Sequence, residues 1–270
     1  MKNKPTSLTL LAAGLATLAL CSINLRASSL PEEAIGWWTF EGNTSGTGNK
    51  NLVAVAPETS KLAPVVPVAF EPVSGIGAGN AGQQAVKLDG KSVLKTNDPT
   101  LRLPGAQTWW LRVKLNSIPA GDVVLMSRSR PLDGSRGLAL QLLDGRLVAL
   151  ASTDGVAYDG TLKDLNSAPL AAGKWYDIAM RFDPSNRLRV DVYDPSTGKL
   201  VQTQEITVGV PSSVQKANNI GSGYLQIGSI NNGSAGSAWS IPDGLIEAAG
   251  VWNRSLTDAE VAGLSAKAGQ

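Results

Sequence analysis

The chain has 270 residues, 43% hydrophobic and 17% charged, with 24 Lys and Arg against 22 Asp and Glu, one Cys and no His. Without histidine there is no Ser-His-Asp or Cys-His catalysis, no His-ligated zinc and no imidazole proton transfer. The near-balanced charge gives no electrostatic basis for a nucleic-acid or anionic-membrane partner.

Residues 1–27 read as a secretory signal. Lys2 and Lys4 form a positive start, Leu8 to Leu20 an apolar stretch, and Ser22 to Ala27 a polar end closing on a small residue. The apolar stretch is too short for a membrane span, and cleavage is expected near Ala27. Leu18-Ala19-Leu20-Cys21 also has the outline of a bacterial lipoprotein box, with Leu20 where such boxes want a small residue. In that alternative Cys21 would carry the lipid. The expected mature protein, residues 28–270, is secreted or periplasmic and keeps 21 basic against 22 acidic residues. It has no Cys for a disulfide and no further apolar run of membrane length. One domain of this size is expected to be stabilised by its packed core.

From Gly36 onward the pattern alternates with period two and is broken by Gly, Asp, Asn and Pro. Strands are expected at 36–40, 85–88, 92–95, 107–115 and 123–127. "APVVPVAFEPV" (Ala63–Val73) is interrupted by proline and suits an edge strand or covering loop. "GIGAGNAG" (Gly75–Gly82) lacks the following helix that a phosphate-binding loop requires. "GLALQLLDGRLVALAS" (Gly137–Ser152) reads as a hairpin turning at Asp144-Gly145, which tolerates the positive φ of a type I′ turn. Further strands are expected at 174–182, 187–194, 200–206, 224–230 and 245–252. In "RLRVDVYD" (Arg187–Asp194), Leu188, Val190 and Val192 share one face, as in a half-buried antiparallel strand. The chain closes on a short helix announced by the capping box Thr257-Asp258-Ala259-Glu260, with Val261 and Leu264 on one side. About a dozen short strands predict an all-β, two-sheet antiparallel sandwich with a short C-terminal helix.

The closing stretch "GLIEAAGVWNRSLTDAEVAGL" resembles the last strand and helix of laminin-G-like domains in the concanavalin A-like lectin/glucanase superfamily. "GWWTFEGNTSGTGN", "AVKLDGKSVLKT" and "GKWYDIAMRFD" are similar to the opening strand and loop, an early hairpin and a later strand of that family, in family order. The resemblance implies a concanavalin A-like jelly roll over nearly the whole of 28–270. It also implies one structural Ca2+ between the opening loop and the last strand. The corresponding positions are Asn43, Ser45 and Glu247, with Asn43 in place of an Asp and Ala248 in place of a second acid. Calcium takes six to eight oxygens, several of them anionic; the same loop without metal would be held by Asn43 as an Asx-turn.

Sugar-binding surfaces use flat aromatic rings with polar groups around them. Trp110 with Arg112, on the amphipathic side of "QTWWLRVKLN", is one candidate platform, and Trp239 in the Gly-rich loop "NNGSAGSAWSIPDG" is the other. Glucanases of the fold present Glu-x-Asp-x-x-Glu from one strand, a run this chain lacks. Retaining hydrolysis needs two carboxylates about 5 Å apart. Lyases of the fold use Tyr with Arg, Lys or His, for which Tyr193 with Arg189 or Arg181 is the available set. The expectation is a non-catalytic, monomeric binding module for a polysaccharide or a cell-surface glycan or protein. A glycan hydrolase or lyase and a structural adhesion protein are the alternatives.

Overall fold

In the computed structural model the alternation becomes fifteen strands among the described residues, which are 33–56, 65–74, 76, 83–103, 105–129, 136–152, 155–158, 160–163, 168–209, 224–229 and 239–267. The expected leader, its cleavage point at Ala27 and the Cys21 anchor lie outside them. In chain order the strands are β1 (Gly36–Trp38), β2 (Val53–Val55), β3 (Phe70–Pro72), β4 (Gln84–Leu88), β5 (Val93–Thr96), β6 (Gln107–Leu115), β7 (Asp122–Ser127) and β8 (Ala139–Leu143). There follow β9 (Arg146–Ala151), β10 (Gly160–Lys163), β11 (Trp175–Phe182), β12 (Arg187–Asp194), β13 (Lys199–Thr207), β14 (Leu225–Ile227) and β15 (Gly244–Trp252), then helix α1 (Asp258–Lys267).

The strands form two antiparallel sheets. The first runs β13-β12-β11-β6-β15-β4-β3, with β1 also on β15, and the second runs β10-β9-β8-β7-β14-β5-β2. β1 pairs with β15 at 249–251 and β4 pairs with it at 244–246, so Glu247 sits at the gap between two strands that share one edge of β15. The Asp144-Gly145 turn joins β8 to β9 with φ of 50° and 76°, the type I′ geometry that its sequence allows. β2 and β10 were not legible in the alternation; each is an edge strand of three or four residues.

The core lies between the sheets. Trp109, Leu111, Val113 and Leu115 of β6 meet Ile178 and Met180 of β11 on one side and Leu140, Leu142, Leu147 and Leu225 on the other, all almost fully buried. A strand in the middle of a sheet must bury both faces if anything covers the sheet from outside, and here α1 does. A second apolar cluster on the outer face of the first sheet joins Trp37, Trp110, Tyr193, Ala248 and Trp252 to Leu256 and Val261 of the closing segment. The helix is pinned by its capping box, with Thr257 N donating to Glu260 Oε2 at 2.7 Å and Glu260 N donating to Thr257 Oγ1 at 3.3 Å. Arg181 Nη1 adds a bond to Leu256 O at 2.7 Å, and its Nη2 pairs with Asp258 at 2.6 Å and with Asp191. At the other end of the same face Trp175 donates to Ser74 O at 2.8 Å and packs with Val73, Ile76 and Leu245.

Candidate functional site

The two halves of the Trp110 platform are both inside the protein. Trp110 and Arg112 are each 0% exposed. Trp110 stacks on Trp37 with ring centres 5.3 Å apart, and Trp37 meets the edge of Trp252 at 6.1 Å. The expected exposed platform is therefore corrected. Alternation rightly put Trp110 and Arg112 on the outer face of their sheet, but α1 and the segment around Ser74 cover that face, a long-range event that strand periodicity does not encode.

Arg112 instead anchors a buried charge group. Its Nε and Nη2 donate to Asp177 Oδ1 and Oδ2 at 2.6 and 2.8 Å, both residues being fully buried. Its Nη1 lies 3.8 Å from Glu247 Oε2, which accepts no hydrogen bond. Two carboxylates thus face one guanidinium. Burial works against the Arg112 charge, but Asp177 and Glu247 outweigh it and hold the guanidinium above its ordinary value. Burial pushes the Glu247 carboxyl up to about 7; Arg112 opposes this, while the charges of Asp177 and Glu41 add to it. One expected sugar ligand, Arg112, and one expected calcium ligand, Glu247, prove to be each other's neighbours.

The other expected calcium ligands sit in an exposed turn. Asn43 Oδ1 accepts from Ser45 N at 2.9 Å and Asn43 Nδ2 donates to Glu41 O at 3.1 Å, an Asx-turn. No group of three or more Cys, Asp or Glu among the described residues is arranged to hold a metal ion. A donor set of one buried carboxylate already facing a guanidinium, and an amide oxygen already accepting a hydrogen bond, does not fit calcium.

The outer face of the second sheet is buried along its middle strands and reaches solvent towards its two edges. Register alone lays a row across all seven strands there: Val53, Lys95, Gln226, Ser127, Ala139, Leu150 and Thr161 are successive cross-strand partners. The row is exposed at its ends, where Val53 is 43% exposed, and buried at Gln226 and Ser127 in its centre. Beside it stand two half-buried aromatic rings, each under a cation: Lys95 Nζ is 5.0 Å from the Tyr224 ring and the Arg136 guanidinium 5.2 Å from the Tyr158 ring. Gln226 Nε2 donates to Ser129 O at 3.1 Å, Ser129 N to Ser127 Oγ at 2.9 Å and Gly137 N to Ser129 Oγ at 3.0 Å, so the centre is a fixed polar lattice. Burial raises the Tyr158 hydroxyl above the usual phenol range, with Ser129 and Arg136 pulling it back. Trp239 is half-buried beside β7, the middle strand of the same sheet, its carbonyl accepting from Val124 N at 2.8 Å. Tyr224, Lys95, Tyr158 and Arg136 were not among the sequence candidates. Lys95 ends the expected strand 92–95, but its partner across the sheet comes from 129 residues further along the chain.

Two antiparallel sheets, one face closed by a terminal helix and the other bearing aromatic and polar side chains, define a sandwich of the lectin type. The chain matches the Laminin_G_3 family model of the concanavalin A-like lectin/glucanases superfamily over residues 88–262, and it belongs to that family. No curated protein matches it. Among solved structures it is similar to domain 4 of AbnA, a GH43 extracellular arabinanase from Geobacillus stearothermophilus, in complex with arabinotriose. That match has 15% identity, covers 86% of this chain and 98% of that one, and has a TM-score of 0.56. It is also similar to the botulinum neurotoxin type G receptor-binding domain (13% identity, TM-score 0.53) and the serotype D binding domain (12% identity, TM-score 0.53). Each of these two covers 86% of this chain, which spans about half, 51%, of the neurotoxin domains. At such identities the likeness is one of fold.

Proposed function

We propose that the protein is an exported, non-catalytic binding module that holds carbohydrate on the outer face of its second sheet. The observation that carries this reading is the pair of half-buried rings, Tyr224 beside Lys95 and Tyr158 beside Arg136. Flat rings for sugar C–H faces beside cationic hydrogen-bond donors are the chemistry such a ligand requires. Trp239, half-buried beside β7 of the same sheet, is included in this surface as part of the proposal. The arabinotriose bound by the AbnA domain and the receptor-binding role of the neurotoxin domains support a recognition function for the shared architecture.

The carboxylates support a role without glycan cleavage. Hydrolysis of a glycosidic bond needs a proton donor and a second carboxylate facing one substrate. The fully buried acids Asp177 and Asp191 are each in contact with arginine, Asp177 with Arg112 and Asp191 with Arg181 and Arg189. Tyr193, with Arg181 and Arg189 the lyase-type candidate, is buried in the cluster beneath α1. Titration of the purified protein with soluble oligosaccharides tests the site. Tyr224→Ala and Trp239→Ala should each weaken binding while leaving the melting temperature unchanged. Binding that survives both substitutions refutes this placement of the site.

A further inference from the structure

We propose that Arg112 is the built-in cation of the corner where the family resemblance implies calcium, so that the fold holds this corner without a divalent ion. The opening loop is tied to β4 there, Glu41 accepting from Gln84 N at 3.0 Å, and Glu41 acts electrostatically on Glu247 of the last strand. A metal at such a corner does two things. It neutralises carboxylates that would repel each other, and it ties the loop to the strand. In this chain Arg112 supplies the positive charge between the two acids, and the loop is held by its own hydrogen bonds and by Glu41 to β4.

The neutralising charge is the guanidinium, which binds Asp177 through two hydrogen bonds and stands 3.8 Å from Glu247, with Arg112 and Asp177 fully buried. A planar, permanently charged fork suits this place better than an ammonium, because it can meet two acids at once and is weakly hydrated. The loop is closed by its own bonds. Trp38 Nε1 donates to Lys50 O at 2.6 Å, Thr44 Oγ1 donates to Leu52 O at 2.7 Å, and Leu52 N returns a bond to Thr44 O at 3.0 Å. The loop interior is filled, since a side chain at Gly46 would run into the Trp38 indole and the Lys50 carbonyl. The carbonyl oxygens of Thr44, Lys50 and Leu52 are thereby engaged within the protein.

A ligand that binds only the folded state raises its melting temperature, which makes the proposal measurable on the intact protein. Millimolar calcium and a chelator should give the same melting curve, and Tb3+ added to the protein should show no tryptophan-sensitised emission. Arg112→Ala should lower the melting temperature and, by leaving Asp177 and Glu247 to face each other, make it rise again with added calcium. Arg112→Lys, which keeps a cation, should stay insensitive to calcium. A wild-type melting temperature that calcium raises or the chelator lowers, or sensitised Tb3+ emission from the wild type, overturns the proposal. So does a folded Arg112→Ala variant that ignores calcium. If that variant does not fold, the wild-type melts and Tb3+ emission decide alone.

Discussion

Replacing Glu247 by Gln should stabilise the protein above pH 7 and do little near pH 4.5. Glu247 is 4% exposed, its Oε2 accepts no hydrogen bond, and it shares one guanidinium with Asp177. In the folded chain its carboxyl is raised from 4.5 to about 7. The folded state therefore holds the proton where the unfolded state has lost it, so stability is fully present below 4.5 and declines as pH rises to about 7. Each pH unit of that interval is worth about 1.4 kcal/mol, so the ionised carboxylate costs the fold about 3 kcal/mol above pH 7. Gln keeps the shape and hydrogen-bonding capacity of the protonated acid at every pH. Urea unfolding of wild type and Glu247→Gln from pH 4.5 to 8.5 should show the variant gaining on the wild type up to about pH 7 and then holding a constant advantage. Parallel pH profiles, or an advantage that shrinks as pH rises, would mean that Glu247 is an ordinary ionised partner of Arg112, and the reasoning about surplus buried charge would be wrong.

Thr257→Ala removes the hydroxyl that caps α1 and should cost about 1 kcal/mol, seen as a melting temperature lower by about 2–4 °C, with Thr257→Ser close to wild type. Gly250→Ala puts a methyl group 2.6 Å from Trp252 Cη2 and 2.7 Å from Trp37 Cε3. Overpacking of that kind should cost about 1–3 kcal/mol in urea unfolding and perturb the near-ultraviolet circular dichroism of the tryptophans. At the proposed site Tyr224→Phe should bind oligosaccharide like the wild type, whereas Tyr224→Ala should lose about 1 kcal/mol, roughly fivefold in affinity by calorimetric titration.

What was legible in the sequence was local. β6 and β12 appear with the bounds their alternation predicts, the Asp144-Gly145 hairpin turns where its φ tolerance allows, and α1 begins at its capping box. β2 and β10 were not expected, whereas β1, β5 and β14, equally short, were. The site was harder to read. Alternation tells which residues share a face but not whether that face meets water. Trp110 and Arg112 form an amphipathic pair by pattern, and Trp110 is buried because Leu256 and Val261, about 150 residues later, close over the same side. Lys95 and Tyr224 come together only through the pairing of β5 with β14, so no short window of sequence contains them both. Glu247 likewise looked like a metal ligand by position. Its guanidinium neighbour is set by the pairing of β15 with β6, where a register shift between Ile246 and Ala248 occurs at Glu247 itself.

The most direct test of the proposed binding role is incubation of the purified protein with a panel of soluble and insoluble polysaccharides, recording protein depletion from solution and the appearance of new chain ends together. A non-catalytic carbohydrate module should be depleted by at least one polysaccharide while creating no new ends, and Tyr224→Ala should remain in solution with that same polysaccharide. New chain ends would contradict the account by showing a glycan-cleaving enzyme, and a protein depleted by none of them would contradict it by showing that the sheet face recognises something other than sugar.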